Sequence, residues 1–581
     1  MWNTILQGFL LLWGFSLATR PTPRVYDSGN DVTYEGFVRN DIEVFLNIPY
    51  GQDTSGENRF KPPRPHVPVA GSTVDAQSNG PSCPQPLGAG SAPLALTPIT
   101  EVSEDCLNLN IGRPRGTEEG EGLPVMVWIH GGGFWNGGNH EITTAPDGLV
   151  RESVENGLPV IHVAINYRLG FFGFAQSDSL QSEGSTNAGL RDQRLALEWI
   201  RDNIEYFGGD PERVTIFGQS SGGLAVGLQL LAYGGEKPVP FQRVIAESQC
   251  LEPGITGTFT IDAMQALVDY IGCNDTDLHS DDTVECLRNF DTEELLNASI
   301  ATKFDDLAHN IGDIWLPVVD GDFLPAPPSE LIREGRFAQV PTMIGWTDKD
   351  LNIYVSTNIT TAEDTHELIS GYVPNVTPEN VDTLLSLYPV SDFEAESSEE
   401  LSAEFLRSAR IVRDIIMVCE PIFYAQNLVE FGNQDVYLYD WNQTILDPLL
   451  VHFGLAPEPG LGPIHTSEFA YIYGNLSSYD GSGFVIEPTP ENVALMKRGS
   501  RSWSTFANFG QPSLKKHDTF KDFRPAIRDG HDDIFVFVAG GPQEGSFAID
   551  GRHSSDALTA QKLRERCDFI NSSEMVEQLG F

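Results

Sequence analysis

The stretch VTIFGQSSGG, residues 214–223, runs a short apolar segment straight into two serines set among glycines. The apolar run ends on Gly-x-Ser-x-Gly and continues into the helix-like GLAVGLQLLAYG, which gives the order strand, sharp turn, helix. At such a turn the central serine, Ser220, projects its hydroxyl, while Gly218 and Gly222 leave room for neighbouring backbone. The free N–H groups at the start of the helix can meet a developing negative charge. Five residues of this kind also make ordinary loops, so their weight comes from the strand and helix on either side. Ser221 is the competing nucleophile. Its side chain is expected to point along the helix, leaving its backbone N–H as its contribution.

Outward from this turn the same alternation recurs. PVMVWIH (124–130), PVIHVAINYR (159–168), RVIAES (243–248), PTMIGWT (341–347), DVYLYDW (435–441) and DIFVFVAG (533–540) are near-continuous apolar runs. Runs of that kind suit strands buried on both faces of a mostly parallel sheet. Between them, residues 187–207 read as an amphipathic helix with Leu190, Leu197, Ile200 and Ile204 on one face,. ENVDTLLSLY and EELSAEFLRSARIVRDIIMV read as acidic helical segments. The expected fold class is α/β, with a large, mostly parallel central sheet flanked by helices and carrying long helical insertions. No internal repeat or low-complexity linker divides the chain.

A second glycine-rich turn, WIHGGGFW (128–135), follows one of these predicted strands. Consecutive glycines allow backbone N–H groups to approach a substrate closely, and an HGGG turn supplies oxyanion donors in esterases of the α/β-hydrolase class. A tight turn needing positive φ is the plainer reading of the same residues. Phe134 and Trp135 beside it either shape a pocket or join the core. Together, the two turns point to acyl transfer. The twelve histidines do not single out a base by spacing alone.

The chain has 581 residues and a formal charge of −46, from 36 basic and 82 acidic residues. Such a field repels nucleic-acid phosphates and anionic lipid surfaces, so neither is expected as a partner. The N-terminus, MWNTILQGFLLLWGFSLATRP, is apolar from residue 5 to 18 and ends its run on Ser16-x-Ala18. It reads as a signal peptide spanning 1–18, followed by one catalytic domain over 19–581. The run is short for a membrane span of ~20 residues, so stable membrane insertion is not expected. Sequons at Asn274, Asn297, Asn358, Asn375, Asn442, Asn475 and Asn571 agree with secretion as a glycoprotein,. Seven cysteines leave one odd in an oxidising compartment, and spacing alone does not assign their bridges,. Cys83 with Cys106 and Cys273 with Cys286 are the natural local pairs. No CxxC or HxxxH spacing occurs, so neither a metal nor a cofactor is expected,.

At this point the sequence resembles the type-B carboxylesterase and lipase family, which includes the cholinesterases and fungal lipases. The matching segments run nearly the whole length in order. They are IPYG (48–51), RFKPP (59–63), SEDCLNLNI (103–111), WIHGGGF (128–134), NYRLGFFGF (166–174), NAGLRDQ (187–193), FGGDP (207–211) and VTIFGQSSGG. The resemblance implies the α/β-hydrolase fold and a Ser–acid–His triad. The acid segment of the family resembles G-x-[NT]-x-D-E-G, matched by residues 345–351, GWTDKDL, so Asp350 takes the acidic position. Asp stands for the usual Glu and Leu351 for the usual Gly, and the shorter Asp requires its backbone to approach the histidine more closely. Asp348 is the runner-up. The histidine segment resembles G-x-x-H-x-x-E, matched by GPIHTSE (462–468), which selects His465; His452 is read as structural.

The resemblance further implies oxyanion donors at the N–H groups of Gly132, Gly133 and Ser221, the last usually Ala. It pairs Cys83 with Cys106, Cys273 with Cys286 and Cys419 with Cys567, leaving Cys250 free. It puts Ser248 beside the triad as a supporting hydroxyl, and Glu104 with Arg168 where the family has a buried ion pair. Gln219 precedes the nucleophile where Glu is common, and the loop between Cys83 and Cys106 contains no Trp, Tyr or Phe. A choline ester would call for aromatic faces and negative charge, so choline esters are not the expected substrate. The same loop is small and Pro-broken, unlike an amphipathic lid helix. The expectation is therefore a secreted serine carboxylesterase acting on dissolved small-molecule esters. An interfacially activated lipase taking lipid esters is the alternative, and a noncatalytic adhesion module of the same fold is a third reading.

Overall fold

The computed structural model describes residues 22–88, 95–255, 259–303, 314–433, 435–527 and 532–580, so the expected leader, 1–18, lies outside them. The strands are β1 (Arg24–Asp27), β2 (Val32–Glu35), β3 (Phe37–Arg39), β4 (Ile42–Pro49), β5 (Ser72–Asp75), β6 (Asn108–Pro114) and β7 (Leu123–Ile129). After them come β8 (Ile161–Ile165), β9 (Gly209–Gln219), β10 (Arg243–Glu247), β11 (Thr342–Thr347), β12 (Val436–Trp441), β13 (Phe535–Ala539) and β14 (Gly545–Ala548). Eleven of them pair in the order β14-β13-β12-β11-β10-β9-β7-β8-β6-β4-β3, and β1-β2-β5 form a small separate sheet.

From β8 to β13 the ladder is parallel, and antiparallel pairs close both edges. This is the mostly parallel sheet expected from the apolar runs. β8, β11 and β12 are buried at every position, as strands covered on both faces must be,. Trp128, Trp346, Trp441 and Trp503 are fully enclosed, with Trp128 meeting Phe217, Phe469 and Tyr473 at ring distances of 5.0–5.7 Å.

Helix Ala188–Asn203 buries Leu190, Leu197 and Ile200 as its periodicity requires, and Ile204 opens the short turn Ile204–Phe207 that follows. The long excursion between β11 and β12 carries helices Ala362–Tyr372, Pro378–Leu387, Ala403–Arg413 and Cys419–Glu430. Three of the four starts are written in the sequence. Thr361, Thr377 and Ser402 each accept an N–H from the first turn, and Pro378 occupies a first helical position,. Among the described residues no helix is long and apolar enough to cross a membrane.

Disulfides join Cys83 to Cys106, Cys273 to Cys286 and Cys419 to Cys567; Cys250 joins none of them, is buried, and places its Sγ 3.1 Å from Glu252 Oε1. The expected ion pair between Glu104 and Arg168 is not formed. Glu104 instead takes Arg59 at 2.6 Å and Arg168 takes Asp192 at 2.7 Å, all four side chains being buried. Each guanidinium has a nearer carboxylate to satisfy its charge, and a buried charge is tolerable only when so paired.

Candidate active site

In a parallel sheet the loops after the strands collect at one edge, and that edge carries the candidate residues. Residues 130–134 follow β7, Ser220 follows β9, Ser248 follows β10, Asp350 follows β11, and His465 lies in the long connection after β12. Register aligns them further, since Gln219 pairs with Glu247 and Glu247 with Gly345, so the next residues of three strands emerge side by side.

Ser220 sits at φ 61°, ψ −132°, between β9 and helix Ser221–Leu231. A side-chain-bearing residue held there stores ~1–3 kcal/mol, which the surroundings must over-determine. Its N–H donates to Glu247 O at 3.0 Å and its carbonyl accepts Leu224 N–H at 2.9 Å. The flanking glycines are obligatory here. A Cβ on Gly218 would stand 2.6 Å from the carbonyl oxygens of Gly222 and Ile129, and one on Gly222 would run into the backbone of Ile129 and His130.

The turn after β7 has Gly132, Gly133 and Phe134 at φ of 110°, 62° and 52°. Gly132 O accepts both Trp135 N–H and Asn136 N–H at 3.0 Å, which closes the turn, and Gly132 and Gly133 line the same cavity as Ser220. Among the described residues nothing accepts from the N–H of Gly132, Gly133 or Ser221. His130 supports the turn: burial pushes its imidazole down to about 4, so the ring is neutral and donates from Nδ1 to Gly131 O at 2.9 Å. It stacks on Tyr167, whose hydroxyl donates to His130 O at 2.7 Å. Phe134 is core, packed on Phe174 and Tyr167, whereas Trp135 lines the pocket.

Two further residues brace this turn, and no motif announces them. Gln85 exchanges hydrogen bonds with Gly137, Nε2 to O at 2.7 Å and N–H to Oε1 at 2.9 Å. Glu141 accepts from the N–H of Leu96 and Thr97 at 3.1 and 3.0 Å, pinning the returning arm of the Cys83–Cys106 loop. The signal for both is their nearness to the glycine turn in space, which chain position does not give.

His465 Nδ1 lies 2.5 Å from Asp350 Oδ1, with the two side chains 3% and 0% exposed. Asp350 Oδ2 accepts from Ser248 Oγ and Thr347 N–H, each at 2.8 Å. The backbones beneath them are zipped together, His465 N–H to Asp350 O at 3.1 Å and Lys349 N–H to Pro463 O at 3.0 Å. Gln219 Nε2 stands 3.1 Å from His465 Nε2 and 3.2 Å from Nδ1. Asp348 faces the other way, into Arg410 and Arg413, and His452 lies exposed against Phe453 and Phe484. Beneath His465, Glu468 is fully buried; burial first, then Glu247 and Asp350, push its carboxyl well up, leaving an uncharged acid there.

Ser220, His465 and the glycine turn open on a cavity of about 240 Å³, with Trp135, Tyr354 and Phe469 among its walls. No metal-holding cluster occurs among the described residues. A hydroxyl on a strained turn, an imidazole fixed by a carboxylate, and free backbone donors above an apolar cavity define a serine ester hydrolase of the α/β-hydrolase fold. The chain belongs to the carboxylesterase family, whose pattern matches residues 28–531. It is 51% identical over 576 residues, 99% of each chain, to a protein of Arthroderma benhamiae named a secreted lipase. It is also 36% identical over 535 residues, 89% of this chain and 88% of the other, to an inactive carboxylesterase-like protein of Byssochlamys spectabilis. Among solved structures, the fold is similar to EstA of Aspergillus niger, with a TM-score of 0.76 at 22% identity, covering 96% of this chain and 99% of that one.

Proposed function

We propose that Ser220 is the nucleophile, His465 its base, and Asp350 the carboxylate that orients the base. The observation that carries this is the 2.5 Å contact of Asp350 with His465 Nδ1 beside a serine held at φ 61°. With its Nδ1–H donating a hydrogen bond to Asp350, the neutral imidazole keeps Nε2 as acceptor for the Ser220 proton. Ser220 then attacks the ester carbonyl, and the oxyanion is received by the N–H groups of Gly132, Gly133 and Ser221, each worth ~10²- to 10³-fold in rate. His465 returns its proton to the leaving alcohol, and water repeats the sequence on the acyl-enzyme.

The substrates are neutral esters, for which the apolar cavity walls and the uncharged Gln219 provide support. We favour dissolved esters, because the described arms of the Cys83–Cys106 loop are irregular and tied down by the disulfide, Gln85 and Glu141. A lipase reading draws on the lipase name of the Arthroderma benhamiae relative. Following activity through a substrate's solubility limit separates the two: a curve that saturates below the limit supports an esterase, and a sharp rise on emulsion a lipase. Ser220→Ala tests the chemistry itself, since retained activity in folded protein removes the assignment. A wild type inactive across acyl chain lengths would instead support the noncatalytic reading, for which the inactive relative is a precedent.

Extracellular location is supported by the three disulfides and by the secreted relative,. Asn274, Asn297, Asn358 and Asn375 are exposed and are the proposed glycan sites, whereas the Asn571 amide is engaged by Cys419 O at 2.7 Å.

A further inference from the structure

Ser221 is the first residue of helix Ser221–Leu231, whose N-cap position is taken by Ser220. Here Ser221 Oγ reaches across to the other glycine turn and accepts Phe134 N–H at 3.2 Å, with the two residues 2% and 0% exposed. Phe134 is the last of the three consecutive positive-φ residues that shape that turn. Its carbonyl accepts Gly170 N–H at 2.6 Å and its ring packs on Phe174 and Tyr167. Both polar atoms of its backbone are therefore satisfied, one by the segment at Gly170 and the other, among the described residues, only by the residue beside the proposed nucleophile. With no hydroxyl at 221, Phe134 N–H becomes a buried donor without a partner, in a backbone conformation that already needs support.

The consequence concerns distance between two independent pieces of chain. Gly132 and Gly133 are carried by the turn after β7, and Ser221 N–H by the turn after β9. An oxyanion hole works only if its donors converge on one point within a few tenths of an ångström. We propose that the Ser221 side chain is a positioning residue for ester hydrolysis, the link that fixes the glycine turn relative to Ser221's own N–H. This rests on the oxyanion assignment made above and deepens it: one residue offers an N–H to the substrate and, through Oγ, sets where the other donors stand. Where family members carry alanine the N–H persists without the link.

The test compares wild type, S221A, S221T and S221C, with S220A as the inactive reference. Readouts are kcat and KM on a short-chain p-nitrophenyl ester, inhibition by a trifluoromethyl ketone that forms a tetrahedral oxyanion adduct, and Tm. S221A and S221C, which lack a good oxygen acceptor, are expected to lose about tenfold in kcat with KM nearly constant. Affinity for the ketone falls in parallel, Tm holds within a few degrees, and S221T recovers most of kcat. Wild-type kcat and ketone affinity in S221A overturn the proposal. So does a loss of activity that follows the folded fraction alone, or failure of both S221A and S221C to fold, because the hydroxyl would then serve folding. An inactive wild type, or an active S220A, instead sinks the catalytic assignment on which the proposal stands.

Discussion

Asp348 and Asp350, two residues apart at the end of β11, send their carboxylates to opposite fates. Asp350 turns inward to His465, Ser248 and the Thr347 N–H. Asp348 turns to Lys349, Arg410 and Arg413, each 3.4 Å away. Burial alone would raise the Asp348 carboxyl, but those three cations outweigh it and hold the group well below the usual carboxylate range. Asp350→Asn is therefore expected to cut kcat by roughly 10⁴-fold while leaving Tm near wild type. Asp348→Asn should show the reverse, near-normal kcat per folded molecule and a Tm lower by several degrees, because Arg410 and Arg413 lose a buried partner. Active-site titration alongside thermal melts checks both, and an exchange of the two outcomes moves the acid to Asp348.

Gln219 puts an uncharged amide against the imidazole of His465. Replacing it by Glu brings a carboxylate within reach of the ring, which favours the protonated ring over the neutral one that can accept a proton. In Gln219→Glu the acid limb of the pH profile of kcat/KM should move to higher pH by about one unit, with activity near pH 8 less affected. An unmoved limb would mean that residue 219 does not sense the charge on the base.

Gly222 lies where the turn after β9 crosses the turn after β7. In Gly222→Ala the new Cβ would sit 2.8 Å from His130 C and nearer still to Ile129 O, both backbone atoms with no room to retreat. The expected outcome is loss of soluble, active protein. Gly481→Ala, which adds a methyl where nothing lies within 4 Å, should be silent. Equal behaviour of the two in expression and melting assays would contradict the close crossing.

Glu420 is fully buried, its carboxylate accepts from Gln249 Nε2 at 3.1 Å, and burial pushes it up from 4.5 to about 8. Below pH 4.5 the group is protonated whether the chain is folded or not, so its full stabilising share is present there. Between pH 4.5 and 8 the unfolded chain has released the proton and the folded chain has not, so stability falls as pH rises. Glu420→Gln keeps the contact and removes the titration. Its Tm should decline less than that of wild type from pH 5 to pH 8, by a few degrees over the window. Parallel profiles would show that Glu420 does not carry this linkage.

What the sequence made legible was whatever is local along the chain. β7 to β13, other than β9's early residues, stood out because strands covered on both faces are continuous apolar runs. The turn at Ser220 was legible because a strand and a helix flank it directly. The antiparallel strands β4 and β6 carried no such signal, since Asn47, Asn108 and Asn110 interrupt them; the Asn110 side chain accepts Asn47 N–H, and the side chains of Asn108 and Asn110 both bond Asn139. Partner choice was also hidden. Glu104 takes Arg59 and Arg168 takes Asp192 because of what folding brings nearby. Gln85 and the Ser221 hydroxyl escaped notice for the same reason, as each reaches a residue more than 50 positions away.

The bridge from Cys419 to Cys567 joins residues 148 positions apart, and His465 lies inside the span it closes, together with β12 and β13. The proposed base is thus carried on a hoop of chain. A protease that nicks an exposed turn of this hoop, such as the one around Phe453 and Gly454, leaves two pieces still fastened to each other. Such clipped protein keeps its mass without a reductant and separates into fragments with one.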